Sequence, residues 1–385
     1  MAKVALGIAG LGGGSRHIMS SFNDNPEVEF TAAADIDQDL LASFHEATGA
    51  RVYDDFEDMC KDPEIDIVHI ATPNWLHTQH ALTALEHGKH VLVEKPMATN
   101  IEDADRIITA AAAVGREVIV DFPQGLHAPI RQLGSWTEGR EFGPLQSVQT
   151  WHYGDWLYRP RSPEEIDPDP RNGSGVVFRQ GSHQFGTIQA ITRSPAKAVK
   201  AATVWANDSA RPVAGSYVAY IEYESGCIVT ASYSAYDRFK TDELVSDAEL
   251  PYGAARAALS SDRTPDEEKA QKYGNVRAAP WFSGSRPAFM WISNGLTLAS
   301  YERAEARLTP TGLVLYDDQA RQPMDLPLTD TGQKAVVEQM CDLVLRGKTP
   351  SLSARWGKSM LEICLAVVQA GKSGQPVDLR HQHIG

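Results

Sequence analysis

Two basic side chains stand out by where they fall in the chain. Lys95 lies in Val93-Glu94-Lys95-Pro96, at the carboxyl end of a run that reads as a parallel β-strand. His183 closes the segment Gly173-Ser174-Gly175-Val176-Val177-Phe178-Arg179-Gln180-Gly181-Ser182-His183. Open α/β sheets form their ligand crevice at the carboxyl ends of the strands, and partial burial there lowers a lysine pKa so that it can polarise a hydroxyl or carbonyl. An imidazole titrates near neutral pH and can accept a proton. Taken singly, a lysine is more often a solvated surface group and a histidine more often structural. Pro96 restricts the Glu94–Lys95 backbone and permits a cis bond before it.

A third feature explains what such residues would face. Gly10-Leu11-Gly12-Gly13-Gly14-Ser15 follows a predicted strand and precedes a helix. Glycines allow a tight turn and close backbone approach, so that amide N–H groups can hold a pyrophosphate. Ser15 departs from the third glycine of a strict G-x-G-x-x-G. Asp35 ends the second predicted strand, at the spacing of an acid that accepts bonds from both ribose hydroxyls and repels a 2′-phosphate. Asp37 and Asp39 add negative charge and no Lys or Arg follows closely in sequence, which favours NAD over NADP. The competing reading makes Asp35 only the N-cap of a helix over 38–48.

The elements that must position these groups follow a simple rhythm. Val4–Ala9, Glu29–Ala34, Ile65–Ala71, His90–Val93 and Glu117–Val120 read as strands, with helices from about Ser15 and over Gln38–Thr48, Thr78–His87 and Ile101–Val114. Apolar strands without alternation, separated by helices, require a parallel sheet covered on both faces. The expected fold is an α/β Rossmann doubly wound domain over 1–121, joined to an α+β domain over 122–385 built on a large, mostly antiparallel sheet. In that second part Gln146–Tyr153, Ala198–Ala206, Ser216–Tyr223 and Cys227–Tyr233 read as strands, with a hairpin at Glu222–Cys227. Residues 237–280 are charged and punctuated by proline and glycine, helical around Pro265–Lys272. They read as an insertion, either a lid or a solvated excursion. A helix over 353–370 is expected to pack back on the Rossmann domain.

Bulk properties exclude several classes. A net charge of −14 argues against nucleic-acid or anionic-membrane partners, which need a basic footprint. Cys60, Cys227, Cys341 and Cys364 are widely spaced, so neither a disulfide framework nor a metal site is expected. The apolar N-terminus is broken by glycines, and no run approaches the ~20 apolar residues that span a bilayer. A soluble, cytoplasmic protein is the expectation.

Taken together, the motifs resemble the glucose–fructose oxidoreductase and inositol dehydrogenase (Gfo/Idh/MocA) family over essentially the whole chain. Thr72-Pro73-Asn74-Trp75-Leu76-His77 is similar to that family's T-P-N-x-x-H segment, which the resemblance places beside the nicotinamide ribose. Glu94-Lys95-Pro96 matches its E-K-P motif, and His183 matches the histidine of its G-G-G-x-x-x-D-x-G-x-H motif. The resemblance implies a dinucleotide held by Gly10, Gly12, Gly13, Gly14, Ser15, Asp35, Thr72, Pro73, Asn74, His77, Glu94, Lys95 and Pro96. Lys95 and His183 would deprotonate a substrate hydroxyl as hydride leaves for the nicotinamide.

Arg179 stands where the family usually has an aspartate. A cation cannot accept bonds from sugar hydroxyls, but a guanidinium can hold a carboxylate in bidentate fashion. With Tyr158-Arg159-Pro160-Arg161, Gln180 and Ala354-Arg355-Trp356-Gly357, the chain resembles the phthalate 4,5-cis-dihydrodiol dehydrogenase branch. That implies a dehydrogenase acting on CH–OH or CH–CH groups of a carboxylated cyclic diol, bound by Arg159, Arg161, Arg179, Gln180 and His183. The alternatives are an internal ion pair at Arg179, a sugar or inositol dehydrogenase, a glycosidase or lyase that oxidises its substrate only transiently, and a silent ligand sensor. A homo-oligomer, dimer or tetramer, is expected through the exposed face of the C-terminal sheet.

Overall fold

The computed structural model describes residues 2–244, 264–282, 295–326 and 332–384. Six parallel strands, β1 (Val4–Ala9), β2 (Val28–Ala34), β3 (Arg51–Tyr53), β4 (Ile67–Ile70), β5 (His90–Glu94) and β6 (Val118–Asp121), form one sheet in the order β3-β2-β1-β4-β5-β6. Strand order reverses beside β1, and a crevice opens there at the carboxyl ends. The register aligns Ala9 with both Ala34 and Ile70, and Glu94 with Asp121, so the residues that follow these strands share one rim. All four residues of β4 and of β6 are buried, the signature of a sheet covered on both faces.

Two local departures from the pattern reading matter. The short β3 and a helix over Phe56–Cys60 intervene before β4, because three residues carry too little periodicity to register. The next helix runs Asn74–Glu86, starting four residues before Thr78 with Pro73 at its N-cap, which puts Asn74 and His77 in its first turn.

The second sheet is mixed, with nine strands in the order β14-β13-β12-β11-β7-β10-β9-β8-β15. Its strands are β7 (Leu145–Tyr153), β8 (Ala196–Trp205), β9 (Ser216–Tyr223), β10 (Ile228–Ser234), β11 (Leu296–Tyr301), β12 (Ala304–Thr309), β13 (Gly312–Asp317), β14 (Arg321–Asp325) and β15 (Val377–Asp378). Every pairing is antiparallel except β7 with β10. Alternation along β9 buries Tyr217, Ala219 and Ile221, while Val218 and Tyr220 join Trp151 and Trp205 among the exposed large apolar residues.

A helix over Ala354–Ser373 lies between the two sheets. Near its start Val120 N–H donates to Leu352 O at 2.8 Å, Ile119 bridges Ser353, and Trp356 packs on Phe122. Toward its end Gly371 packs on Val204 of β8, where a Cβ would come within 2.9 Å of Val204 Cγ2. Of the segment 237–280, residues 245–263 lie outside the described residues. A helix over Pro265–Ala278 crosses above the cleft between the sheets. Among the described residues no helix is long and apolar enough to cross a membrane, and all four cysteines are free and buried.

Candidate active site

A cleft of about 1870 Å³ runs along the carboxyl ends of β1, β4, β5 and β6 and under the second domain. Its lining includes Gly10, Gly12, Gly13 and Gly14, Asp35, Thr72, Pro73, Asn74, His77, Glu94 and Lys95, and from the other domain Arg159, Arg161, Arg179, Gln180 and His183.

The glycine turn is shaped by sterics at one position above all. Gly10 has φ of +87°, and a Cβ there would stand 2.8 Å from Ala71 O, so no other residue fits between β1 and β4. Around Gly12 a Cβ would meet nothing within 4 Å, which leaves its amide side open to a ligand. Ser15 is buried, and its hydroxyl donates to Gly12 O at 3.0 Å, bracing the turn from inside. Asp35 Oδ2 accepts Leu11 N–H at 2.6 Å and Oδ1 accepts Asp37 N–H at 2.9 Å. Asp35 therefore joins β2 to the glycine turn, and the helix over Gln38–Thr48 is capped by Asp37, which accepts from Asp39 N–H and Leu40 N–H. Each oxygen of Asp35 keeps a lone pair for a ribose hydroxyl. The open amides, the forced Gly10 turn and this carboxylate fit a dinucleotide.

One cation near this end was invisible in the sequence. Arg277 binds the Asp37 carboxylate from the crossing helix, 240 residues away. Arg16 stacks on Trp281 at 3.3 Å, and Trp281 donates to Ser43 Oγ at 2.9 Å, so the end of that helix is moored on the Rossmann domain.

At the other end the E-K-P segment has a cis Lys95–Pro96 peptide. His77 spans the gap beneath it, with Nδ1 2.8 Å from Pro96 O and Nε2 2.7 Å from Thr72 O. Burial holds its pKa down to about 4 even though both carbonyls favour the charged ring. Asn74 Nδ2 is buried without a partner beside Gly173.

Lys95 Nζ donates to the backbone carbonyl of Arg179 at 3.0 Å. Its pKa is lowered by burial, with Glu94 opposing and Arg179 adding to the shift. His183 sits in the first turn of a helix over Ser182–Thr192, preceded by a π-helical turn over Val177–Gly181 that carries Arg179 and Gln180. Such turns often mark functional sites. Phe122 stacks on the His183 ring at 6.1 Å, and Nδ1 is buried with no partner. Burial and the Lys95 charge hold the imidazole well below its ordinary pKa, so the ring is neutral and can accept a proton. Lysine and histidine from different domains thus face one cleft.

The arginines divide. Arg159 lies at the rim with its guanidinium on Asp155, Nε at 2.8 Å. Arg161 donates through Nε and Nη2 to Trp156 O and stacks on the Trp156 ring at 4.1 Å. Its Nη1 is 3.6 Å from Glu165 Oε1, and Arg179 Nη1 is 3.7 Å from the same oxygen. The internal ion pair weighed for Arg179 is present, but it is loose. Lys272 of the crossing helix binds Glu165 Oε2. Burial opposes the Glu165 charge, and Arg161, Lys272 and Arg179 overcome it, bringing the pKa down to about 2. Lys272 and Arg277 carry no local motif, since their partners lie over a hundred residues away; Glu165 closes a capping box on Ser162, but its contacts with Arg179 and Lys272 are set by the fold.

Below the rim, His69, Glu94 and Asp121 bring potential ligand atoms within 4.8 Å of one another, the one donor set of that kind among the described residues. His69 Nε2 is 3.4 Å from Asp121 Oδ2, and burial with the Asp121 charge raises the Glu94 pKa.

Residues 4–122 match the profile described as "Oxidoreductase family, NAD-binding Rossmann fold", and residues 130–246 match the GFO/IDH/MocA C-terminal domain. The chain belongs to the GFO/IDH/MocA oxidoreductase family. It is an NAD(P)-dependent dehydrogenase. A relative from Comamonas testosteroni, named 1-carboxy-3-chloro-3,4-dihydroxycyclo hexa-1,5-diene dehydrogenase, is 28% identical over 95% of this chain and 94% of its own. An inositol 2-dehydrogenase from Saccharopolyspora erythraea is 34% identical, over 34% of this chain and 39% of its own. Among solved structures, a dehydrogenase described as putative from Bordetella bronchiseptica RB50 superposes with a TM-score of 0.85 at 28% identity, over 98% of this chain and all of that one.

Proposed function

We propose that the enzyme oxidises a secondary alcohol of a cyclic, carboxylated substrate, a cis-dihydrodiol or a sugar acid. The observation that carries this reading is Arg179. Its guanidinium lines the cleft and makes no hydrogen bond among the described residues, while its carbonyl holds Lys95. A largely buried guanidinium with only a loose ion pair and no hydrogen bond is costly, and a substrate carboxylate is the partner its chemistry suits. Arg161 adds a second cation on the same wall, in a chain whose net charge is −14. The carboxylated ring in the name of the Comamonas testosteroni relative supports the same class.

In this reading Lys95 holds the reacting hydroxyl, and neutral His183 receives its proton. Arg179 and Arg161 fix the carboxylate away from the reacting carbon, so the ring is oriented before reaction. Bound NAD supplies the hydride acceptor. The balance is alcohol plus NAD⁺ giving ketone, NADH and a proton; from a cyclohexadiene diol the ketone tautomerises to a catechol. Amides of Gly12, Gly13 and Gly14, in a turn shaped by Gly10 and Ser15, would hold the pyrophosphate. Asp35 would take the ribose, and Thr72, Pro73, Asn74, His77, Glu94 and Pro96 would frame the nicotinamide end. Gln180 supplies a neutral polar contact, and Arg159 screens the entrance. The division between domains falls after Asp121. The exposed face bearing Trp151, Trp205, Val218 and Tyr220 suits a homo-oligomer.

The test is a substrate panel followed by absorbance of reduced nicotinamide, with carboxylated cyclic diols, sugar acids, neutral sugars and inositols, each with NAD and NADP. Carboxylated rings should give the highest kcat/KM. Equal or better turnover of neutral polyols would overturn the reading, and turnover without accumulating NADH would point to an internal redox cycle.

A further inference from the structure

The four side chains Arg161, Arg179, Lys272 and Glu165 form one cluster on the substrate side of the cleft, with a surplus of two positive charges. The two oxygens of Glu165 are used unequally. Oε2 accepts Lys272 Nζ and also Ser162 N–H at 2.9 Å. Oε1 faces two guanidinium groups at 3.6 and 3.7 Å, beyond hydrogen-bond reach of either. The cations differ as well. Arg161 is fixed by Trp156, and the backbone of Arg179 is set by the π-helical turn, whereas Lys272 is a single ammonium on a four-carbon stem with three rotatable donors. Its helix is held at separate points, by Glu268 on Arg211 at 2.6 Å and by Arg277 on Asp37, so its backbone need not move for the side chain to swing.

We propose that Glu165 is an internal stand-in for the carboxylate of the substrate and that Lys272 is a direct substrate ligand. This rests on the carboxylated-substrate reading above. In the ligand-free enzyme Glu165 gathers the three cations. The incoming carboxylate seats between the two guanidinium groups and draws the Lys272 ammonium from Glu165 Oε2, which keeps its bond from Ser162. No covalent bond changes in this exchange. A second anion lowers the charge surplus from two to one in a partly dry site, where like charges repel strongly. A neutral ring leaves the surplus as it was, so the cluster selects for anionic substrates by what it withholds from others.

The experiment uses full-length enzyme with NAD and two variants, Lys272→Gln and Glu165→Gln. KM and kcat are measured on a carboxylated cyclic diol and its decarboxylated analogue, and thermal shifts are measured with benzoate as the probe. Lys272→Gln should raise the ratio of carboxylated to neutral KM by about 10- to 100-fold, the worth of one charged hydrogen bond. The benzoate-induced shift should shrink in the same variant. Glu165→Gln should lower the ratio and enlarge the shift; should that variant fail to fold, the Lys272→Gln ratio decides alone. An unchanged ratio in Lys272→Gln, or weaker benzoate binding in folded Glu165→Gln, overturns the exchange. If wild-type enzyme prefers carboxylated substrates while Lys272→Gln keeps that preference, only the exchange falls. If wild-type enzyme shows no such preference, the substrate reading falls with it.

Discussion

The ammonium of Lys95 donates to the backbone carbonyl of Arg179 at 3.0 Å, so a side chain at the end of β5 is held by the π-helical turn that leads to His183. The groups proposed to handle the proton and to anchor the substrate are therefore tied by one contact between the two halves of the chain. A change at either residue should move the other.

Lys95→Ala removes the group that would hold the substrate hydroxyl. The expected loss in kcat is about 10²- to 10⁴-fold, the range for a positioned acid–base group. NAD titration by protein fluorescence should show binding within a few-fold of wild type. A loss in cofactor affinity as large as the loss in kcat would contradict the assigned role.

Arg179→Ala should raise KM for carboxylated substrates about 10- to 100-fold and spare neutral polyols by comparison. Arg179→Lys should recover little, because a point charge does not reproduce two parallel N–H donors. Equal losses on both substrate types would refute the anchoring role.

Asp37→Ser keeps a helix N-cap of comparable strength and frees Arg277 beside the ribose end of the cleft. The ratio of kcat/KM for NADP over NAD should rise. A fall in that ratio, in a variant with unchanged stability, would show that Arg277 does not reach the cofactor.

Lys95 is proposed to hold the substrate hydroxyl as an ammonium donor, so kcat/KM should fall as pH rises through the Lys95 pKa. Burial has already moved that pKa below the ordinary lysine value, which brings the fall nearer neutrality. Glu94 opposes the shift, so Glu94→Gln should lower the Lys95 pKa further and carry the alkaline limb of the kcat/KM profile to lower pH. A limb that stays put or moves up would separate it from Lys95.

His77 is buried with its pKa at about 4, below the ~6.5 of a free imidazole. The unfolded chain therefore binds a proton that the folded one refuses. Stability from this residue is complete above pH ~6.5 and is lost as pH falls toward 4, by roughly 3 kcal/mol in total. Urea unfolding across that range should be flatter in His77→Gln than in wild type.

The parallel sheet was legible because β1, β4, β5 and β6 are apolar runs bounded by turn residues, and Ile101–Val114 has both a helical stripe and a closing Gly115. The helix bearing His183 was not. Gln184, Thr187 and Gln189 are buried on it beside Phe185 and Ile188, so burial all round erases the amphipathic period. Gly10 and Asp35 were legible because their spacing is local, although the bond from Leu11 N–H to Asp35 shows a bracing task that spacing alone could not convey. Glu165 and Lys272 were not, because 107 residues separate them and only the fold brings them together.

Leu352 and Ser353 pair with the outer edge of β6, and the far end of the helix they lead into, over Ala354–Ser373, rests on β8. Neither sheet can come apart without stripping the other of that shared helix. Melting should accordingly be a single cooperative event, seen as one calorimetric peak, and truncation before Leu352 should abolish it rather than leave an N-terminal fragment that folds by itself.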